Sequence, residues 1–383
     1  MKALTALLIS ALVAGCASPP PMPPSADLFH DDLFAPPSAP VRPDEAMAIS
    51  PAMRDYIANR IVTTSRFSDP RRKLIDVLYR KDELQLEYDA AETRTAAQAF
   101  EARSGNCLAL VMMTAALAKE MGLAVRYQAV LGDDAWDRSG NLYVAVGHVN
   151  LTLGDRVPRD GFGFMQNDPM TIDFVPPHSA QPLRTRTIRE QTVIAMYLNN
   201  RAVESLAAGK VNDAYWWARE AIRTDPELLS AYITLGVVYR DRRHPELADR
   251  ALQRVLAREP ENTKAISNRA LVLDDMGRRA EADVLKQQLA RLDPHPPFSY
   301  FNEGMAALRQ RRLEAARVLF QKEVDRAPYQ HEFQFWLAIT YLELHDAKRA
   351  TAHLQRAMEV ATTRKDHDLY AAKLARLKTL APQ

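Results

Sequence analysis

The chain has 383 residues, more than one ordinary hydrophobic core accommodates, so two or more domains are expected. Apolar residues make up 47% and charged residues 26%, the balance of a folded protein rather than a disordered one. The formal net charge is only +2, so the chain advertises no polyanion-binding surface and nucleic acid is not among the expected partners.

In chain order, Lys2 gives a positive start and residues 3–13 form an apolar run broken only by Thr5 and Ser10. Such a run suits a secretory leader and is too short to span a membrane. It ends in Val13-Ala14-Gly15-Cys16. That ending resembles the lipobox of bacterial lipoproteins, which implies a signal peptide over 1–16 and acylation of Cys16. Ala17, in the place where an Asp would alter sorting, implies an outer-membrane anchor facing the periplasm. The membrane is then a partner through the lipid. The second cysteine, Cys107, would have no partner within the chain. A lone thiol in an oxidising compartment is either a small buried apolar group or a reactive one.

Residues 17–48 are rich in Pro, Ala and Ser and read as an extended tether. The tether carries Asp27-Leu28-Phe29 and Asp32-Leu33-Phe34, which read as decoration more readily than as a docking motif. His30-Asp31-Asp32 reads as solvated chain rather than as a metal site.

A folded unit is expected over 49–190. Ser50-Pro51 and Ser68-Asp69-Pro70 are helix starts, an N-cap followed by proline in the first turn. Leu84, Leu86 and Tyr88 alternate like a short strand. Residues 95–102 are helix-prone and lead into Ser104-Gly105-Asn106-Cys107. Residues 108–121 predict a second helix with Gly122 as its cap; Met112-Met113 belong to its core side. Strands follow at Val125–Leu131 by alternation, at 142–153, and at 171–175 before Pro176-Pro177.

From about residue 195 to 383 the chain repeats. Pro226, Pro260, Pro294 and Pro328 are 34 residues apart, and so are Ala214, Ala248, Ala282, Ala316 and Ala350. Gly236 and Gly304 match two repeats apart. The pattern resembles tetratricopeptide repeats, about five of them, with a capping helix over 365–380. Small residues let helix pairs approach, and proline closes each unit. In that family the first helix of each unit lines a concave face, which implies a peptide groove built from Phe298, Phe301, Met305, Leu308, Phe335, Ile339 and Leu342. Trp216-Trp217 are expected between the two domains.

Cys107 opens a predicted helix, where negative charge is favoured and backbone N–H groups face a developing oxyanion. His148 lies on the second predicted strand and Asp173 on the third, so adjacent strands place a base and its orienting carboxylate near the thiol. Asp168 is an alternative carboxylate. Gln98 and Tyr88 are weaker candidates, read first as surface residues. The segments around 95–107 and 116–127, with Gly147-His148-Val149 and Thr171-Ile172-Asp173, resemble the transglutaminase-like core over about residues 70–180. The resemblance implies an α+β papain/transglutaminase-like domain ahead of an all-α repeat solenoid, with Cys107 as nucleophile, His148 as base and Asp173 as its orienter. Val149-Asn150 stands where many members have an aromatic residue, which leaves substrate and reaction type open. Peptidase or amidase chemistry and acyl transfer to an amine both fit, and neither needs a cofactor. The alternative is a non-catalytic periplasmic adaptor whose repeats bind a protein or peptide.

Overall fold

The structure is a computed structural model that describes residues 26–61, 69–80, 82–90, 92–130, 135–139, 142–146, 148–156, 169–174, 184–361 and 363–380. The Cys16 lipobox and Asp168 lie outside the described residues. Among those residues, no helix is long and apolar enough to cross a membrane.

The front half is built around one buried helix. Helices α1 (Pro51–Tyr56), α2 (Pro70–Tyr79) and α3 (Ala96–Ala102) precede α4 (Cys107–Glu120). Ser50, Asp69 and Thr95 cap the first three with their side chains, as the sequence signals require. Thr95 and Gln98 form a reciprocal capping box, which accounts for Gln98 without a catalytic role. In α4 every residue from Cys107 to Ala118 is buried. A helix apolar on all sides must be packed on all sides.

The expected strand at 84–88 shrinks to β1 (Glu87–Tyr88), paired in parallel with β2 (Ser104–Gly105). Next come β3 (Leu123–Val130), β4 (Ala135–Ser139), β5 (Leu142–Val146), β6 (Val149–Arg156), β7 (Met170–Ile172) and β8 (Thr185–Ile188). The strand expected over 142–153 is therefore two: β5 pairs with β4 as a hairpin, and β6 enters the main sheet. That sheet has the order β7-β6-β3-β8 and is antiparallel in all three pairings. Val149, Leu151 and Leu153 alternate into the core shared with α4.

Ten helices then form five pairs: α5 (Glu190–Ala207) with α6 (Val211–Thr224), α7 (Leu229–Asp241) with α8 (Pro245–Arg258), α9 (Thr263–Asp275) with α10 (Arg279–Leu292), α11 (Ser299–Arg309) with α12 (Leu313–Arg326), and α13 (His331–Glu343) with α14 (Ala347–Glu359). Helix α15 (Arg364–Leu380) caps the array. The second helix of every pair starts 34 residues after its predecessor. Two residues before each of these starts, the backbone takes a positive φ, at Gly209, Arg243, Gly277, Arg311 and His345. The alanine column at 214, 248, 282, 316 and 350 is fully buried. A second column of small residues, Ala202, Gly236, Ala270, Gly304 and Ala338, is buried as well. A Cβ on Gly236 would lie 3.0 Å from Leu252, and one on Gly304 would lie 2.8 Å from Phe320, so these positions set how closely the paired helices approach.

Two expectations need correction. Residues 26–48 are not a free tether: Leu28, Phe34 and Ala46 are buried, and Ala46 accepts a backbone hydrogen bond from Ala96. Apolar side chains among the prolines find a seat on the solenoid, and that burial outweighs the extended preference. Phe298 and Phe301 are not groove residues either. Both are buried where the fourth pair meets the fifth, Phe298 against Phe301 and Phe333, and Phe301 against Phe320 and Phe333. Phe335 stacks on Tyr370 of the capping helix. Of the seven, Met305, Leu308, Ile339 and Leu342 stay half-buried.

Candidate active site

Asn106 caps α4: its Oδ1 accepts from Ala109 N–H at 3.0 Å, and its Nδ2 donates to Thr93 Oγ1 at 2.8 Å. The capped turn holds Cys107 at the first helical position, 2% exposed. The strand pairing that joins β3, β6 and β7 carries His148, just ahead of β6, to the same place. Asp173 follows β7 directly.

The three residues singled out from the sequence come together. His148 Nε2 lies 2.8 Å from the Asp173 carboxylate, and Cys107 lies near enough to act on the imidazole. His148 is 8% exposed. Burial disfavours its charge, but the hydrogen bond to Asp173, with Cys107 close by, outweighs burial and pushes the imidazole up to about 10.

Several neighbours were not legible as site residues. Asn150 donates from Nδ2 to Asp173 at 3.2 Å and is buried. In the sequence it stands only as a departure from the His-aromatic pattern; its place two residues after His148, on the same side of a strand, is the signal that could have found it. Tyr79 comes from α2, with its ring 6.2 Å from that of Phe174 beside Asp173, and burial together with the Asp173 charge raises its hydroxyl. Thr93 ties the site to the solenoid: Asn200 of α5 donates to its hydroxyl at 3.3 Å, and Glu204 accepts from its N–H at 2.8 Å. Burial raises the Glu204 carboxyl despite those bonds.

Tyr88 is exposed on β1, in register with Gly105. Among the described residues, no cluster of three His, Cys, Asp or Glu side chains is placed to hold a metal. Trp217 packs within the first helix pair, its ring edge against Tyr197, whereas Trp216 reaches the N-terminal segment through a hydrogen bond to Ala35 O.

No family model matches the chain. It is 26% identical over 121 residues to the type IV pilus assembly protein PilF of Pseudomonas aeruginosa, a match that takes in 31% of this chain. The chain thus spans 48% of the length of that relative. The repeat portion, helix pairs at a 34-residue period, is similar to tetratricopeptide-repeat proteins. Similar solved structures include YrrB, a TPR protein with an unusual peptide-binding site, at 20% identity, 47% of this chain, 92% of that one and a TM-score of 0.25. The TPR protein TTC0263 of Thermus thermophilus is 16% identical over 47% of this chain and 99% of its own, with a TM-score of 0.30. Pseudomonas aeruginosa pilF gives 19%, 50%, 96% and 0.28. The 34-residue period and the five helix pairs are features of the chain itself.

Proposed function

We propose that this protein is an adaptor of the bacterial cell envelope whose repeats bind a protein partner. The observation that carries this reading is the repeat array, five helix pairs in one register, with a likeness over 121 residues to a protein named for pilus assembly. A solenoid presents the same kind of surface several times over, which suits an extended partner segment. The test is affinity capture from an envelope extract with the full chain as bait. The expected result is one protein retained in fixed stoichiometry and lost when Val284 and Val318, exposed on α10 and α12, are both changed to Asp. Retention that ignores the repeat surface would overturn the reading.

A second reading is favoured by the Cys107–His148–Asp173 geometry: a thiol hydrolase or acyltransferase on an α+β unit of the papain and transglutaminase kind. In it, His148 takes the proton of the Cys107 thiol as the sulfur attacks an amide carbonyl, and the resulting oxyanion faces N–H groups at the start of α4. His148 gives its proton to the leaving nitrogen, the C–N bond breaks, and a thioester remains. Water or an amine then attacks the thioester, His148 takes the incoming proton and returns it to the departing sulfur, and the thiol is restored. Asp173, steadied by Asn150, holds the ring throughout. Brief treatment with substoichiometric iodoacetamide near pH 6 tests the pair. Labelling at Cys107 should be fast in the wild type and slow by about a hundredfold in His148→Ala. Slow labelling in both, with the fold intact, would sink this reading and leave the adaptor standing.

A further inference from the structure

The segment over 26–38 lies on the first two repeat units as a bound peptide would. Each of its two Asp-Leu-Phe triplets includes a short 3-10 turn. Asp27 pairs with Arg254 at 3.0 Å, and the carbonyl of buried Leu28 accepts from the Tyr239 hydroxyl at 2.6 Å. The Phe29 ring sits under the Arg219 guanidinium at 5.4 Å. Asp31 accepts from the Tyr215 hydroxyl at 2.6 Å and pairs with Arg219 at 2.9 Å. Phe34 stacks on Tyr215, ring centres 3.8 Å apart and nearly parallel, with Arg242 over its face at 5.4 Å. Trp216 donates to Ala35 O at 2.8 Å, and Asp213 accepts from both the N–H and the hydroxyl of Ser38.

Acidic groups meet arginines and aromatic rings meet tyrosines along the whole stretch. Most of the receiving side chains belong to α6 and α8, the second helices of their pairs, rather than to the first helices from which a groove was expected. The surface also continues beyond the segment. Trp216 has its 34-residue counterparts in Arg250, Val284 and Val318; Arg250 lies 3.2 Å from His30, while Val284 and Val318 are 61% and 44% exposed. The segment thus fills two units, and the position that matches Trp216 stays open in the next two.

We propose that this surface is a peptide receptor, that residues 26–38 are its resident ligand, and that the partner it fits is an extended acidic–aromatic segment of the Asp-Leu-Phe kind that displaces the resident one. The proposal deepens the adaptor reading and rests on it for the existence of a partner. An intramolecular ligand competes at a high effective concentration, so the occupied surface binds an external peptide weakly until the resident segment leaves.

The probe is a fluorescein-labelled synthetic peptide with the sequence of residues 25–39, titrated against the full chain by anisotropy. The double variant Asp31→Ala, Phe34→Ala should loosen the resident segment and bind the peptide at least tenfold more tightly than the wild type. Adding Arg254→Glu should cost about tenfold, and a peptide with Arg in place of Asp27 should restore it. Equal binding by wild type and double variant, or no binding by a double variant whose circular dichroism is unchanged, overturns the proposal; neither outcome touches a partner captured elsewhere on the repeats. Should the double variant not fold, a protease site placed at 40–42 of the otherwise native chain gives the same answer. The clipped segment should stay bound through gel filtration and be displaced by excess peptide. Loss of the segment on cutting, or its retention against the excess, counts against the proposal.

Discussion

The second helices of repeat units two and three have equal length and identical register, yet they do different work. Helix α8 buries Ala248, Ala251, Leu252 and Val255, while α10 buries Ala282 alone. The cause is one column. Ala218, Leu252, Phe320 and Leu354 occupy it in units one, two, four and five, all fully buried, but unit three has Lys286, which turns to Asp274 at 2.8 Å. One apolar cluster runs from Leu28 through α4 to Val272, a separate one begins at Phe298, and a small third one joins Ala338 and Leu354 to Leu374 of the capping helix. The small residues of a repeat set where its helices go, and the charged Lys286 leaves unit three without the buried apolar group that this column supplies elsewhere. A solenoid continuous in backbone is here divided in its packing, so opening at the unit three to four boundary should cost less than opening elsewhere.

The largest effect should come from giving unit two the residue of unit three. Leu252→Lys buries a charge opposite Gly236 and should cost about 4 kcal/mol, read as a lower urea midpoint, with the N-terminal cluster losing hydrogen-exchange protection first. Gly304→Ala should cost about 2 kcal/mol, because the new methyl meets the buried Phe320 ring. Adding Phe320→Leu, which reproduces the pairing of Leu354 with the Ala338 unit, should recover most of that loss in a double-mutant cycle; strict additivity would refute the close-approach argument. Lys286→Leu should gain about 1 kcal/mol and turn two unfolding steps into one if the divided core is real. The smallest effect belongs to the turns. Arg243, Arg311 and His345 occupy the left-handed position that Gly209 and Gly277 fill in their units. Changing any one of them to Gly should stabilise by about 0.5–1 kcal/mol in thermal melts, and a loss would mean that its side chain makes a contact worth more than the strain.

The legible parts of the fold are those whose cause lies nearby in sequence. The 34-residue period, the capping residues Ser50, Asp69 and Thr95, and the all-apolar α4 are local signals, and they place the repeats and the helix that begins at Cys107. For the candidate site, Cys107, His148 and Asp173 were legible as types in order, because a thiol at a helix start and two strand residues carry their own geometry. Asn150, Thr93 and Glu204 were not, since each acts through a partner on another element. Strand β8 was missed because Thr185–Ile188 is short and mostly exposed, with no apolar alternation. Phe298 and Phe301 were misplaced because their burial is fixed only where the fourth pair meets the fifth. The segment over 26–38 misled most, because proline content is a local signal and its seat lies some 180 to 230 residues further along the chain.

That separation carries a consequence in time. A ribosome adds about 5–20 residues per second, so residues 26–38 emerge about ten seconds or more before Tyr215, Tyr239 and Arg254 exist to receive them. Through that interval Leu28, Phe29 and Phe34 have no native place to go, and closing so long a loop is among the slower folding steps. The part of this protein made early is completed late. Until the second repeat unit has formed, the two Asp-Leu-Phe turns are open to whatever else in the cell recognises an acidic, aromatic stretch of chain.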